Sequence, residues 1–262
     1  MTERAPRVWI LDCDGVVWLS DRPVAGAAEA VGRLRAEGIR VVFLTNNSYP
    51  KVAAHLEKLD RFGIPTPSGD LITSSMAAAT LLQPGDTALV VGGPGILEAL
   101  ELRGVSAFEA GDVPAGLKID VVVVGFDLKF DFARLAAATS ALRGGARLVA
   151  TNGDVTFPAP EGLWPGAGSF VAAVAAAGGA EPVVAGKPFP PVADLVSVTI
   201  PSVEMVVGDR PSTDGRFARL VGARFGLVLT GVTSRGHGPV EPEPDLEAPD
   251  LAGLVERALA GG

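Results

Sequence analysis

Two observations predict an α/β fold with a mostly parallel sheet for this sequence of 262 residues. Short apolar runs alternate with segments of helical periodicity almost from end to end, which is typical of strands joined by crossover helices. Polar residues directly follow several of these runs, at the edge where open parallel sheets bind ligands. Since 48% of the residues are hydrophobic, the chain can bury a sizeable core in one large domain or two smaller ones.

Each element follows from its local pattern, in chain order. The apolar runs predict strands at Val8–Leu11, Ile39–Leu44, Thr87–Val91, Val121–Val124, Arg147–Ala150, Glu204–Val207 and Phe225–Leu229. The periodic segments predict helices at Ala27–Glu37, Pro50–Phe62, Ser74–Leu82, Ile96–Leu102, Phe132–Leu142, Ser169–Ala177, Pro191–Val198, Thr213–Val221 and Asp250–Ala260. Gly63 and Gly104 stand where two of these helices should stop.

Charge and cysteine content exclude several classes of function. The formal net charge of −8 argues against a nucleic-acid partner, because affinity for a phosphate backbone needs a basic face. Cys13 is the only cysteine, so an internal disulfide and a cysteine-based zinc site are ruled out. No signal peptide is visible and no run approaches the ~20 apolar residues of a membrane span. We therefore expect a cytoplasmic protein without a membrane partner.

Asp12 and Asp14 flank one residue directly after the first predicted strand, and Gly15 follows. A carboxylate at a strand end can ligate a hard cation and can also attack an electrophile. Two carboxylates on one turn can divide into a nucleophile and a general acid or base. The alternative is a solvated Asp-x-Asp-Gly turn.

Three further turns carry polar groups, and each has a structural alternative. Thr45 follows the second strand, where a hydroxyl and backbone N–H groups could cradle a phosphate, or Asn47 or Ser48 could simply cap a helix. Lys187 lies between glycine and proline, where it could neutralise a phosphate or be a solvated loop lysine. Asp209 ends another strand and is a candidate Mg²⁺ ligand, whereas Asp214 could support the site or begin a helix.

Two other signals have weaker functional interpretations. The stretch Gly92–Gly95 after an apolar run suggests a dinucleotide loop, but Pro94 removes an N–H and the full Gly-x-Gly-x-x-Gly is missing, so we expect an ordinary turn. Strand alternation points Cys13 away from its neighbours, so we expect a small buried residue rather than a redox sensor.

Four motifs, in this order, resemble those of the haloacid dehalogenase superfamily of phosphatases: Asp12-Cys13-Asp14-Gly15, Thr45-Asn46-Asn47-Ser48, Gly186-Lys187-Pro188, and Gly208-Asp209-Arg210 with Asp214. The segment Thr151–Asp154 with Pro165–Gly168 is similar to the subfamily that has an α/β cap between the second and third motifs. The resemblance spans nearly the whole chain. It implies a Rossmann-like, doubly wound parallel-sheet core at 1–78 and 184–262, with the cap at 79–183.

The resemblance also implies roles at the matching positions. Asp12 would be the nucleophile, and Asp14 would protonate the leaving oxygen and then activate water, with Lys187 as the third catalytic residue. Mg²⁺ would be held by Asp12, the backbone carbonyl of Asp14 and Asp209, with Asp214 in support. The phosphate and substrate would be bound by Gly15, Thr45, Asn46, Asn47, Asp154 and Lys187. Further candidates for the face of the cap nearest the substrate are Phe157, Trp164 and the turn Gly166–Ser169, although core packing would equally explain the two aromatic residues.

These roles predict Mg²⁺-dependent hydrolysis of a small-molecule phosphate monoester through an aspartyl-phosphate. Two alternatives stay open: a phosphotransferase that uses an acceptor other than water, and a non-catalytic protein of the same fold that binds a phosphorylated metabolite. A homodimer formed through the cap is a separate possibility that concerns assembly and not the reaction.

Overall fold

The computed structural model describes residues 7–159 and 162–260. These residues divide into two compact units. The first unit contains 7–45, 56–72 and 196–260, and the second contains 46–55 and 73–195 apart from the two undescribed positions. The predicted boundaries at 78/79 and 183/184 stay a prediction; the compact second unit also includes 46–55, 73–78 and 184–195.

The strands, in chain order, are β1 (Val8–Leu11), β2 (Trp18–Leu19), β3 (Arg22–Pro23), β4 (Arg40–Thr45), β5 (Leu71–Thr73), β6 (Thr87–Val91), β7 (Ser106–Glu109), β8 (Val121–Val124), β9 (Arg147–Ala150), β10 (Thr156–Ala159), β11 (Gly162–Pro165), β12 (Val183–Val184), β13 (Met205–Gly208), β14 (Arg224–Val228) and β15 (Leu246–Ala248). The α-helices are α1 (Ala27–Ala36), α2 (Val52–Arg61), α3 (Ser74–Thr80), α4 (Pro94–Leu102), α5 (Phe132–Arg143), α6 (Ala167–Gly178), α7 (Pro190–Thr199), α8 (Arg216–Leu220) and α9 (Leu251–Ala260).

The first sheet has the strand order β15-β14-β13-β1-β4-β5, and β1 pairs in parallel with both β4 and β13. From β1 the chain continues outward to β4 and β5, and later from β13 to β14 and β15, so the order reverses between β1 and β13. Both of these strands are buried along their whole length, as their continuous apolar sequences require. This sheet confirms the predicted doubly wound α/β fold, and ligands bind such sheets at the point of reversal.

The second sheet has the strand order β12-β9-β8-β6-β7, and all of its described pairings are parallel. Its valine- and leucine-rich strands form a core with α5 and α6 that includes Leu89, Val122, Leu148 and Val174. A separate antiparallel hairpin, β10–β11, precedes α6.

The glycines of Gly92–Gly95 are required by packing within the second unit. A Cβ on Gly93 would overlap the ring of Tyr49, and one on Gly95 would overlap the carbonyl of Pro50. Pro94 is the first residue of α4. The turn is therefore filled by the protein's own chain, which agrees with the prediction of an ordinary turn rather than a dinucleotide loop.

Each predicted strand and helix has an observed counterpart, and the prediction omitted only short elements. Two of these, β7 and β15, lie at sheet edges, where little burial leaves a weak apolar pattern. The helix expected at Thr213–Val221 begins instead as a π-turn at Pro211–Gly215 and continues as α8. The helices α2 and α4 end just before Gly63 and Gly104, as predicted, and both glycines have positive φ. Among the described residues, no helix is long and apolar enough to cross a membrane.

Candidate active site

Asp12 and Asp209 lie at neighbouring strand ends in the first unit. Leu11 is paired with Val207 across β1 and β13, and the N–H of Asp12 donates to the carbonyl of Val207 at 2.8 Å. Asp12 therefore directly follows β1 and Asp209 directly follows β13, at the point where the strand order reverses. The sequence predicted this juxtaposition from the two apolar runs.

A third carboxylate, that of Asp214, joins them. One oxygen from each of Asp12, Asp209 and Asp214 lies within 4.8 Å of the others. Asp209 is 4% exposed and Asp214 is 1% exposed, so the mutual repulsion of these groups is poorly screened by water. Three converging carboxylate oxygens are the donor set that a hard divalent cation prefers, and they fit such an ion.

Backbone groups hold the two buried carboxylates in place. The Oδ2 atom of Asp209 accepts a hydrogen bond from the N–H of Val232, and the Asp209 carbonyl accepts one from Thr233 at 3.2 Å. The Oδ2 atom of Asp214 accepts one from the N–H of Arg210 at 3.1 Å. Sequence reasoning missed the segment 230–233, because it carries no motif.

The Asp14–Gly15 turn packs against Asp209. Gly15 has φ of 82°, and a Cβ built on it would lie 2.5 Å from Cγ of Asp209. The Oδ1 atom of Asp14 accepts a hydrogen bond from the indole of Trp18 at 2.9 Å, a partner that the sequence analysis did not single out. Cys13 is fully buried, as predicted.

Thr45 is the last residue of β4 and is buried in the first unit. The first unit therefore contains Asp12, Asp14, Gly15, Thr45, Asp209 and Asp214 of the predicted site. Thr45 is followed directly in the chain by Asn46, which belongs to the second unit.

In the second unit, the side chain of Asn46 holds the backbone of Lys187. Its Oδ1 atom accepts a hydrogen bond from the Lys187 N–H at 2.9 Å, and its Nδ2 atom donates to the Lys187 carbonyl at 3.1 Å. The same Nδ2 atom donates to Oδ2 of Asp154 at 2.9 Å. Lys187 is only 3% exposed. The structure thus joins Asn46 to two residues that lie more than 100 positions further along the sequence.

The carbonyl of Asn46 is held as firmly as its side chain. It accepts hydrogen bonds from the hydroxyl of Ser74 and from Nδ2 of Asn152, each at 2.8 Å. Ser74 and Asn152 are supporting residues that the sequence did not reveal in that role, although Asn152 lies within the segment Thr151–Asp154. The side-chain amide of Asn46 is used to hold Lys187 and Asp154, which leaves its backbone N–H as the group for the predicted phosphate contact.

The remaining candidates in the second unit have local structural roles. Asn47 is exposed, and its Oδ1 atom accepts the N–H of Tyr49 at 3.1 Å, as a turn residue does. Phe157 packs edge-on against Phe126 with ring centroids 5.2 Å apart, whereas Trp164 is 46% exposed. Within the turn Gly166–Ser169, the N–H of Gly168 donates to the carbonyl of Asp154 at 2.9 Å, which links this turn to the Asn46 cluster.

Comparisons with known proteins agree with this architecture. Residues 9–106 match a family model described as haloacid dehalogenase-like hydrolase, and residues 184–254 match a second model of the same kind. The D-glycerol 3-phosphate phosphatase of Mycobacterium tuberculosis is 39% identical over 86% of this chain and 63% of its own length. The chain thus spans less than two thirds of that relative. The 5'-nucleotidase YutF of Bacillus subtilis is 33% identical over 92% of this chain and 94% of its own.

Solved structures give the same result. The p-nitrophenyl phosphatase of Archaeoglobus fulgidus superposes with a TM-score of 0.85 at 30% identity, covering 97% of this chain and 100% of its own. A glycerol phosphate phosphatase of Mycobacterium tuberculosis, solved in complex with magnesium, has a TM-score of 0.85 at 32% identity, covering 95% of this chain and 77% of its own.

The fold and the comparisons define a hydrolase of the α/β class. More particularly, the chain belongs to the haloacid dehalogenase-like hydrolases, among the cap-containing phosphatases of that family. This confirms the resemblance on which the sequence analysis relied. The roles of the individual site residues stay predictions.

Proposed function

We propose that this protein hydrolyses small-molecule phosphate monoesters with Mg²⁺, through an aspartyl-phosphate formed on Asp12. The observation that supports it best is the cluster of Asp12, Asp209 and Asp214, with carboxylate oxygens within 4.8 Å of one another at the reversal point of the sheet. Three neighbouring carboxylates repel one another. Asp12 can therefore act as a nucleophile only if a positive charge offsets their negative charge.

In the first step, a carboxylate oxygen of Asp12 attacks the phosphorus atom, and the bond from phosphorus to the ester oxygen breaks. Asp14 gives its proton to that oxygen, which leaves as an alcohol. In the second step, Asp14 takes a proton from water as the water oxygen attacks the phosphorus of the aspartyl-phosphate. Inorganic phosphate leaves and the carboxylate of Asp12 is restored.

The ion would be held by Asp12, Asp209 and the backbone carbonyl of Asp14, with Asp214 as a supporting carboxylate. When bound, it supplies positive charge that offsets the charge of the phosphate and of the carboxylates. Gly15 would leave room for this arrangement, because any side chain at that position would overlap Asp209.

The phosphoryl oxygens would be bound by Thr45, the backbone N–H of Asn46 and the ammonium group of Lys187. Phosphoryl transfer depends mainly on positioning and charge neutralisation, which these groups supply. Asp154 would act through Asn46, to which it is hydrogen-bonded. Gly15 and Asn47 complete the proposed binding set, with Asn47 shaping the turn that follows Thr45.

The test is phosphate release from a panel of phosphorylated metabolites and 4-nitrophenyl phosphate, with Mg²⁺ and with the ion chelated. We expect turnover that needs the ion and is lost in Asp12→Asn. Full activity of Asp12→Asn would exclude the aspartyl-phosphate. Phosphate transferred to an added alcohol in preference to water would indicate a phosphotransferase, and binding without turnover of any ester would indicate a non-catalytic protein.

The relatives' names suggest a small phosphorylated metabolite as the substrate. A homodimer through the predicted cap is also part of the proposal: β7 is an edge strand of the cap sheet, and Phe132, at the start of α5, is 83% exposed. Light scattering tests it: the wild type would be a dimer and Phe132→Glu a monomer, whereas a monomeric wild type would exclude it. The cytoplasmic location stays a prediction from the sequence.

A further inference from the structure

The turn that carries Asp14 closes on a buried tryptophan. Trp18 is 1% exposed, and its indole N–H donates to Oδ1 of Asp14 at 2.9 Å. Among the residues that the structure describes, no other hydrogen bond to the Asp14 carboxylate is present. A buried indole N–H needs an acceptor, and here the acceptor is the carboxylate proposed above to carry protons.

The indole is fixed on several sides within the first unit. The N–H of Trp18 donates to the carbonyl of Cys13 at 3.2 Å, and its carbonyl accepts from Gly15 at 2.7 Å. The ammonium group of Lys58 lies 4.4 Å from the ring centroid, and the ring of Phe62 lies at 6.1 Å. These contacts leave the indole N–H little freedom to reorient. The ammonium group of Lys58 over the face of the ring also stabilises the position of the indole electrostatically.

We propose that Trp18 is a positioning residue for Asp14. By holding Oδ1, it leaves Oδ2 as the oxygen that carries the proton to the ester oxygen. The inference rests on the proposed function, because it assumes that Asp14 is the general acid. It adds a residue outside the four motifs and assigns different tasks to the two oxygens of one carboxylate.

In this step the carboxylic acid of Asp14 transfers its proton to the leaving oxygen. The Oδ2–H bond of Asp14 breaks as the proton moves to the ester oxygen, and the electron pair of the phosphorus–oxygen bond stays on that oxygen. Asp14 becomes a carboxylate. The hydrogen bond from Trp18 then joins a donor to a charged acceptor, so it strengthens as the proton leaves.

The hydrogen bond from Trp18 to Asp14 affects the rate only when the leaving oxygen needs a proton. An alkoxide is a poor leaving group and must be protonated as it departs, whereas 4-nitrophenolate is a stable anion and departs without a proton. Loss of the indole N–H should therefore slow aspartyl-phosphate formation from alkyl esters much more than from 4-nitrophenyl phosphate. General acids contribute about 10²- to 10⁴-fold, and misplacing one forfeits part of that.

The experiment measures kcat/KM, which reports formation of the aspartyl-phosphate, for 4-nitrophenyl phosphate and for the best alkyl phosphate of the panel. In Trp18→Phe we expect a fall of about 10- to 100-fold for the alkyl ester and of less than about 3-fold for the aryl ester. The ratio of the two kcat/KM values is measured on one preparation of the variant. Partial unfolding lowers both values by the same factor and leaves their ratio unchanged. Equal falls for both substrates, or no fall, would overturn the proposal.

Two further variants separate the N–H from the packing of the ring. Benzothienylalanine at position 18 keeps a bicyclic ring but has sulfur in place of the N–H, and it should reproduce the altered ratio. Phe62→Leu removes the neighbouring ring contact while the donor remains, and it should keep the wild-type ratio. An altered ratio in Phe62→Leu alone would assign the effect to packing.

Failure of this inference differs from failure of the proposed function. The proposed function stands if Asp12→Asn is inactive and if Asp14→Asn slows hydrolysis of the alkyl phosphate more than that of 4-nitrophenyl phosphate. That conclusion does not depend on the result for Trp18→Phe. An unchanged ratio in Trp18→Phe would then reject the positioning role alone. Full activity of Asp12→Asn would reject the function itself.

Discussion

At the scale of single residues, glycines determine how closely the backbone packs against the carboxylates, because they have no Cβ. A Cβ on Gly15 or Gly231 would overlap Asp209, and one on Gly208 would overlap Asp214. The backbone therefore approaches these carboxylates more closely than any other residue would permit. Gly15 has a second requirement, because its φ of 82° is unfavourable for residues that have a Cβ.

Gly15→Ala and Gly38→Ala separate these two requirements. Both glycines have positive φ, but a Cβ on Gly38 meets no atom within 4 Å. We expect Gly38→Ala to lower the free energy of unfolding by about 1 kcal/mol and to leave turnover unchanged. Gly15→Ala should cost more and should abolish most turnover, because Asp209 must move. Thermal unfolding and kcat/KM measure both, and normal turnover in Gly15→Ala would contradict the proposed role of this turn.

Asn46→Ala tests how the backbone of Lys187 is held. The substitution removes the side-chain partner of the Lys187 N–H and of the Lys187 carbonyl. Loss of such a partner by a buried polar group costs about 1–3 kcal/mol. We expect KM for the phosphate ester to rise about tenfold, since about 1.4 kcal/mol of binding corresponds to that factor. The control is Gln83→Ala, which removes an exposed carboxamide and should leave KM unchanged. An unchanged KM in Asn46→Ala would mean that Lys187 keeps its position without the clamp.

At the scale of elements, the second unit contains an ion network around helix α5. Arg134 of this helix donates to Asp127 at 3.3 Å and to Glu109 at 2.8 Å, and Lys129 lies 3.3 Å from Glu109. Asp127 and Arg134 are buried. The network ties the loop before α5 to the edge strand β7.

Arg134→Met should destabilise the protein by about 3 kcal/mol, because it leaves the buried carboxylate of Asp127 without its counter-ion. Arg143→Met is the matched control on the same helix. Arg143 is exposed, and its guanidinium donates to the carbonyl of Ala177, with no carboxylate partner among the described residues, so we expect a loss below about 1 kcal/mol. Urea unfolding gives both values, and equal losses would show that burial of the pair is unimportant.

The pH dependence of stability should report Glu109. The hydrogen bond from Arg134 lowers the pKa of this carboxyl group, against a smaller opposing effect of burial. A lowered pKa in the folded state stabilises the protein at pH values above the ordinary value of ~4.3 and is lost as the pH falls through the folded-state pKa. Glu109→Gln should therefore be less stable than wild type at neutral pH, and the difference should shrink in acid. A difference that is independent of pH would contradict the assignment.

At the scale of the whole molecule, ion binding and folding should be linked through the three carboxylates. Binding at 100 times Kd stabilises a protein by about 2.7 kcal/mol, or roughly 5–10 °C in Tm for a chain of this size. We expect Mg²⁺ to raise Tm and chelation to reverse the effect. Asp214→Asn should lose most of the shift, whereas Asp70→Asn, which alters the ion pair with Arg40, should keep it. An unchanged Tm in Mg²⁺ would argue against the cluster as a cation site.

The parallel sheets and most element positions follow from the sequence. Buried parallel strands require continuous apolar runs, so β1, β6, β8 and β9 lie at the predicted positions. The edge strand β7 and the hairpin β10–β11 were missed, because strands with little burial lack that pattern. Asp12 and Asp209 were predictable as partners, since parallel strands end at one edge of a sheet.

The sequence by itself therefore determined the fold class, the family and the candidate chemistry, including Asp214 as a supporting carboxylate, because these depend on residue types at strand ends. Only the tertiary structure decided that the carboxylate oxygens of Asp12, Asp209 and Asp214 lie within 4.8 Å of one another, that Asn46 clamps Lys187, and that Trp18 donates to Asp14. The bond from Asn46 to Lys187 joins residues 141 positions apart. Such hydrogen bonds depend on where the fold brings each atom within about 3 Å and on its orientation, and no local pattern records either.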